Sequence, residues 1–187
     1  MTKLSELQAE ADRVFAGSDI VWREQDVTRA LDRMAAEIDA AVGERFPVIV
    51  CVMLGGLIPA ARLLARFEFP LEIDYVHATR YRGGTKGHDL HWKAKPATAL
   101  AGREVLVVDD ILDEGVTLRG VLDYCEAQGA SAVYSAVLVD KQHGRTKAVA
   151  RADFTGLEVD DRYVFGCGMD YKGSFRNLRS IHALAAS

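Results

Sequence analysis

Two kinds of apolar pattern alternate along this chain. Leu4, Leu7, Ala11, Val14 and Phe15 recur at three- and four-residue spacing, which predicts an amphipathic helix over residues 3–16, closed by Gly17-Ser18. The spacing returns at Val27, Ala30, Leu31, Met34 and Ile38, a second helix with Asp26 as its cap and Gly43 as its stop. Ile20-Val21-Trp22 between them is a short strand or a packed link. The second pattern is a continuous, β-branched run, at residues 47–53 (PVIVCVM), 105–108 (VLVV) and 132–139 (AVYSAVLV). Such runs fit strands buried on both faces. Residues 71–77 instead set Leu71, Ile73 and Tyr75 against Glu72 and Asp74, a third strand. His91-Trp92-Lys93 returns as its hairpin partner beyond the RYRGGTKGHD loop of 80–89. Helical segments follow two of the buried runs, one over about 58–66 and one placing Leu118, Val121, Leu122 and Cys125 on a single face before Gly129. Residues 153–160 include a short strand, and 162–166 (RYVFG) is another. Strands alternating with helices predict an α/β fold with a mainly parallel twisted sheet flanked by helices, and a ligand site at the carboxyl ends of the strands.

Composition narrows this picture. The 187 residues fit one domain, and 49% hydrophobic with 27% charged residues is an ordinary globular mixture. A net charge of −4 argues against a general nucleic-acid surface. Cys51, Cys125 and Cys167 lie far apart in apolar stretches, so they predict reduced thiols in a cytoplasmic protein rather than disulfides or a zinc site. The polar start MTKLSELQAEADR is not a signal peptide. The longest uncharged run, residues 46–61, is too short for a membrane span.

The densest chemistry lies in residues 103–120, REVLVVDDILDEGVTLRG. Asp109, Asp110, Asp113 and Glu114 crowd the end of a buried strand, and so much like charge in one place is unfavourable without a ligand or metal to offset it. Gly115 and Thr117 open a helix, adding backbone N–H groups and a hydroxyl that suit a phosphate. A phosphosugar over the strand end satisfies both features. The plain alternative is a capped turn with solvated acids. Leu54-Gly55-Gly56 repeats the strand–turn–helix arrangement, where a tight turn that needs glycine for sterics is the simpler account.

VLVVDDILDEGVTL resembles the phosphoribosyl-diphosphate binding motif of type I phosphoribosyltransferases: a hydrophobic strand, two acids, two apolar residues and Asp-x-Gly-x-Thr. LVDKQ, YVFGCGMDY and FRNL look like the purine-binding parts of the hypoxanthine-guanine branch. The resemblance covers roughly residues 46–184, and the two N-terminal helices carry no family signal. It implies the type I fold with a small hood lobe, and one phosphoribosyltransferase domain over 1–187. Residues of about 3–43 would contribute to the hood or an extension, and about 46–184 would form the core.

It also implies roles. Asp109 and Asp110 would take the ribose hydroxyls, directly or through hydrated Mg²⁺. Asp113, Glu114, Gly115, Val116 and Thr117 would wrap the 5′-phosphate, with the Glu114 side chain facing solvent. Asp113 would also be the acid or base at purine N7, with helix capping as its plain alternative. Lys141, just past a strand end, would donate to a 6-oxo group and so oppose adenine. Tyr163 would stack on the base, and Val164 would present backbone groups to it. Asp170 would help hold Mg²⁺ near the base, and Arg176 would contact diphosphate. Leu54 and Gly55 would meet diphosphate through backbone, with Met53-Leu54 the candidate for a cis peptide. Arg80 and Tyr81 would belong to a lid over the sugar.

The chain departs from the family pattern twice. Leu54 stands where Lys or Arg usually precedes the Gly-Gly turn, and Arg80-Tyr81 stands where Ser-Tyr is usual. The implied reaction is Mg²⁺-dependent transfer of phosphoribose from phosphoribosyl diphosphate to a 6-oxopurine by a homodimer or homotetramer, with no nucleic-acid or membrane partner. A non-catalytic nucleotide-sensing regulator on the same fold is the alternative. A phosphorelay receiver fits less well, because Asp-x-Gly-x-Thr is not part of its pattern.

Overall fold

The continuous apolar runs become the middle of a six-stranded sheet in this computed structural model, which describes residues 3–80 and 90–185. In chain order the elements are α1 (Lys3–Ala16), β1 (Asp19–Trp22), α2 (Glu24–Val42), β2 (Val48–Val52), α3 (Leu57–Leu64), β3 (Glu72–Arg80), β4 (Leu90–Ala94), β5 (Glu104–Leu112), α4 (Val116–Ala127), β6 (Ala132–Gln142), β7 (Phe154–Asp160), β8 (Val164–Phe165) and β9 (Ile181–Ala183). The large sheet runs β4-β3-β2-β5-β6-β7. Every pairing in it is parallel except the β3–β4 hairpin. A second sheet, β1-β9-β8, is antiparallel and forms a small hood.

Successive side chains of a strand point to opposite faces, so each run feeds two cores. Ile49, Cys51, Leu106 and Val108 pack with Val27, Leu31, Met34 and Ile38 of α2, Leu63 of α3, and Val164 and Ile181 of the hood. Val48, Val50, Val105 and Val107 pack with Leu118, Val121, Leu122 and Cys125 of α4. Both faces are covered, which is why these strands lack an apolar–polar alternation. Cys51, Cys125 and Cys167 are buried and free, and burial pushes their thiols up to about 12, 11 and 11.

Several local expectations change. The amphipathic helix over 3–16 forms as α1, but none of its residues is buried, and Leu4 and Leu7 are exposed. The helix is held by Phe15 stacked on Phe175, with 5.7 Å between centroids, and by Glu10, which accepts from Tyr171 and Lys172. Asp26 is not the N-cap of α2. Arg23 is, and Asp26 sits one turn inside, where its carboxylate accepts from the Arg23 N–H at 3.1 Å. The strand expected at 105–108 continues to Leu112, so Asp109 and Asp110 are strand residues rather than turn residues. Lys141 likewise lies within β6 rather than past its end. The strand expected over 162–166 shrinks to β8, which leaves Tyr163 just outside it.

Candidate active site

The carboxyl ends of β2, β3 and β5 and the start of α4 line a cavity of about 470 Å³. Its walls include Leu54, Gly55, Asp109, Asp110, Asp113, Glu114, Gly115, Val116, Thr117 and Arg176. The expected phosphate and sugar residues are therefore brought together. Lys141, Tyr163, Val164 and Asp170 are not part of that lining. They lie beside it, joined to it by the ion pair of Lys141 with Asp113 and by that of Arg176 with Asp170. Arg80 is the last residue of β3, and Tyr81 lies outside the described residues.

Asp109 and Asp110 sit 9% exposed at the mouth of the sheet. Burial, then the charge of Asp110, raises the Asp109 carboxyl well above its ordinary value. Burial also raises Asp110, against the pull of nearby Arg176, whose Nη1 is 3.9 Å from Asp110 Oδ2. Two buried acids with one nearby cation fit a ligand that brings hydroxyl donors or a divalent cation. No group of three or more ligating side chains that could hold a metal by itself is found among the described residues. Such a donor set suits Mg²⁺, which keeps waters and shares substrate oxygens rather than sitting in a protein cage.

The Gly55 turn reaches into this pocket. The Met53-Leu54 peptide is cis, the bond singled out from the sequence. A Cβ on Gly55 would collide with the Asp110 carboxylate, so glycine is needed there for close approach. Gly115 serves differently. It is the N-cap of α4 in the left-handed region, φ 72°, and an added Cβ would lie 2.9 Å from Leu112 Cδ1 and 3.0 Å from the Val149 nitrogen. The loop is also pinned from behind, where Ala148 N–H donates to the Glu114 carbonyl at 2.7 Å.

Asp113 does not cap α4, which has no side-chain cap. Its carboxylate turns to three basic groups: Lys141 at 3.0 Å, His143 at 3.0 Å and Arg145 at 2.8 Å. Hydrogen bonds from Lys141 and Arg145 outweigh partial burial, the largest single influence, and hold its carboxyl below the usual range. Glu114 is not simply solvent-facing, since Arg145 Nε lies 3.7 Å from it. Tyr163, half exposed, donates its hydroxyl to the Asp170 carbonyl at 3.0 Å and meets Tyr171 edge-on at 76°. Asp170 accepts from Arg176 at 2.5 Å and from Gly173 N–H at 2.7 Å. Arg176 also donates to the Gly168 carbonyl at 2.5 Å.

The sequence reading missed His77, Thr79 and Lys93 in the cavity wall and the Arg145 contacts beside it. The first two follow from alternation once β3 is known to run to Arg80, and hairpin pairing brings β4 alongside. Arg145 carried no signal, because it sits in an irregular segment.

Residues 18–172 match the family model described as phosphoribosyl transferase domain. The chain is similar to the hypoxanthine-guanine-xanthine phosphoribosyltransferase of Tritrichomonas foetus, 30% identical over 168 residues that cover 90% of this chain and 92% of that one. The hypoxanthine-guanine phosphoribosyltransferase of Bacillus subtilis (strain 168) is 31% identical over 166 residues, 88% of this chain and 92% of that one. Among solved structures, a hypoxanthine-guanine-xanthine phosphoribosyltransferase has a TM-score of 0.81 at 28% identity and covers 90% of this chain and 97% of its own. A hypoxanthine phosphoribosyltransferase from Staphylococcus aureus has a TM-score of 0.83 at 25% identity, covering 89% and 91%. The family match begins at residue 18, so it takes in β1 and α2, where the residue pattern alone carried no family signal. With the motif, the strand order and these relatives in agreement, the chain belongs to the phosphoribosyltransferase family, enzymes of the pentosyl-transfer type.

Proposed function

We propose that this protein transfers phosphoribose from 5-phosphoribosyl 1-diphosphate to hypoxanthine or guanine in purine salvage, giving IMP or GMP and diphosphate. The observation that carries this reading is the order of groups along the strand ends. Buried Asp109 and Asp110 stand beside a helix opened by Gly115, and Asp113 between them is paired to Lys141 at 3.0 Å. Sugar, phosphate and base therefore have neighbouring partners of the right chemistry.

Asp109 and Asp110 would accept from the ribose hydroxyls, and that contact relieves the cost of burying two acids. The N–H groups at residues 113–117 and the Thr117 hydroxyl would hold the 5′-phosphate. Leu54 and Gly55 would meet diphosphate through backbone, with Arg176 on its other side. Lys141 would donate to the 6-oxo group, Tyr163 would stack on the ring, and Val164 would offer backbone groups to its edge. Asp113 would receive the N7 proton as the glycosidic bond forms. Mg²⁺, held by Asp109, Asp110 and Asp170 together with substrate oxygens, would neutralise charge on the departing diphosphate. The Arg80-Tyr81 segment would exclude water from the cation-like sugar.

Residues 1–187 act as one domain in this reading, with α2 in the core and the hood strands over the base. A second copy of the chain would cover the half-exposed Leu54, Leu57, Ile73 and Tyr75, giving a homodimer or a tetramer built from it. The cytoplasm suits three free thiols. No helix among the described residues is long and apolar enough to cross a membrane.

Diphosphate release from phosphoribosyl diphosphate, with Mg²⁺ and each of hypoxanthine, guanine, xanthine and adenine, tests the proposal. Release is expected with hypoxanthine or guanine, none with adenine, and none after Mg²⁺ is chelated. Asp113→Ala should lower turnover about 10²–10⁴-fold while donor binding survives. No release with any base would refute the enzyme reading in favour of a nucleotide-sensing regulator.

A further inference from the structure

We infer that Arg145 and His143 are positioning residues that fix one oxygen of the Asp113 carboxylate, so that an incoming base can draw Lys141 away from the other. The inference rests on the proposed roles of Asp113 and Lys141 and assigns roles to two residues that those roles do not use.

The two carboxylate oxygens have different partners. Lys141 Nζ donates to Oδ2 at 3.0 Å. Arg145 Nη2 donates to Oδ1 at 2.8 Å, and His143 Nε2 lies 3.0 Å from that same Oδ1. Arg145 is itself anchored. Its guanidinium grips Asp161 through two contacts, 2.7 Å and 3.1 Å, in the connection between β7 and β8. A bidentate arginine–carboxylate pair has a preferred geometry, so the arginine presents a fixed donor to Asp113. The His143 side chain has no solvent exposure. Its Nδ1 accepts from the Arg145 backbone N–H at 3.1 Å, so in the neutral ring the proton belongs on Nε2, facing Asp113. That Nε2 is buried, and its approach to Oδ1 is too far off line for a full hydrogen bond. Among the described residues it has no other acceptor, so a small shift of the carboxylate would satisfy it.

Base binding changes only one side of this arrangement. A 6-oxo group offers Lys141 a new acceptor, and as Lys141 turns to it, Oδ2 loses its cation. Arg145 remains, so Asp113 stays ionised and Oδ2 is free to face N7. As the N9–C1′ bond forms and the C1′–O bond to diphosphate breaks, the N7 proton passes to Oδ2, leaving Asp113 neutral. Without Arg145, the departure of Lys141 would leave a carboxylate with no cation, which favours its protonated form and removes the base. The charged and titratable groups around Asp113 are Lys141 from β6, His143 and Arg145 from the segment after it, and Glu114 and Asp161 on the far side of Arg145.

The test compares Arg145→Ala, Arg145→Lys and His143→Leu with the unsubstituted enzyme. It reads kcat/KM for hypoxanthine from acid to neutral pH, and the Kd of phosphoribosyl diphosphate without base. Arg145→Ala should lose roughly 10–100-fold in kcat/KM. Its acid limb should move to higher pH, because a less stabilised carboxylate protonates earlier. Donor Kd should stay within about twofold, and Arg145→Lys should recover part of the rate. His143→Leu removes the Nε2 group facing Oδ1, so it should lower kcat while donor Kd stays within about twofold. An acid limb unmoved in Arg145→Ala, or an equal loss in donor binding, overturns the role of Arg145. An unchanged kcat in His143→Leu overturns that of His143. Either failure is distinct from failure of the proposed reaction, in which the unsubstituted enzyme itself releases no diphosphate.

Discussion

Asp109 and Asp110 show how function can oppose stability at a single residue. Both are buried, and their carboxyls are raised by that burial. An acid raised by folding holds its proton more tightly in the folded state. Its effect on stability is therefore neutral below the unfolded aspartate value, turns unfavourable as pH climbs through the folded value, and stays so above it. Asp109→Asn should thus make the free protein more stable at neutral pH, by on the order of 1 kcal/mol. The Asn carbonyl can keep the bond that Asp109 accepts from the Asp110 N–H at 2.9 Å. Urea unfolding at neutral and acid pH checks this: the advantage should shrink as pH falls, and a variant less stable at neutral pH would contradict the account. The same substitution should weaken donor binding. The two acids were legible in the sequence because their cost demanded a ligand. The groups around the Asp113 carboxylate were not, since Lys141, His143 and Arg145 converge on it only through the parallel pairing of β5 with β6, where Leu112 stands opposite Asp140.

Elements were most readable where the apolar period was unbroken. The α4 stripe at Leu118, Val121, Leu122 and Cys125 is the set the structure buries. Boundaries were less readable, because β5 continues through two acids that local propensity would place in a turn, and burial on both sides decides the matter. β9 left no readable pattern at three residues, and it exists because β1 and β8 flank it. The α1 pattern was read as a helix, which it is, though none of its residues is buried. Its contacts among the described residues include the Phe15 ring on Phe175 and His182, and Glu10 with Tyr171 and Lys172, at a helix with no buried residue. Removing the residues before Gly17 should therefore leave the sheet intact, with a single cooperative thermal transition lowered by about 5 °C or less. Circular dichroism would show it, and loss of the cooperative transition would mean that α1 is part of the core after all.

At the scale of the whole molecule, one covered face of the sheet stays open at β3. Ile73 and Tyr75 stand opposite Ile49 and Cys51 in the parallel register of β2 and β3, so they share the face on which α2 and α3 pack. Yet Ile73 is 59% exposed and Tyr75 50%. With Leu54 and Leu57 they leave apolar surface that the proposed second copy would bury. Sedimentation of the intact protein should give a dimer or a larger even assembly. Ile73→Asp should shift it towards the monomer, because a charge in a desolvated interface has no partner there. A monomer at every concentration would remove the dimer from the account. Leu54 belongs both to this surface and to the cavity wall, so the variant should also raise the KM for the donor.

The pairing of Asp19 with Ala183 ties the start of the hood to a strand synthesised almost a whole chain later. Val164, proposed to meet the base, is paired only to that same late strand. The proposed sugar and 5′-phosphate part of the site is different: β5, its turn and α4 are contiguous, and their neighbours β2 and β3 have already been made. On a ribosome the phosphate cradle can take shape while the hood still lacks β9, since contacts distant in sequence form last. On the proposed roles, a nascent chain would thus assemble its partners for the ribose and the 5′-phosphate before it has anywhere to put a purine.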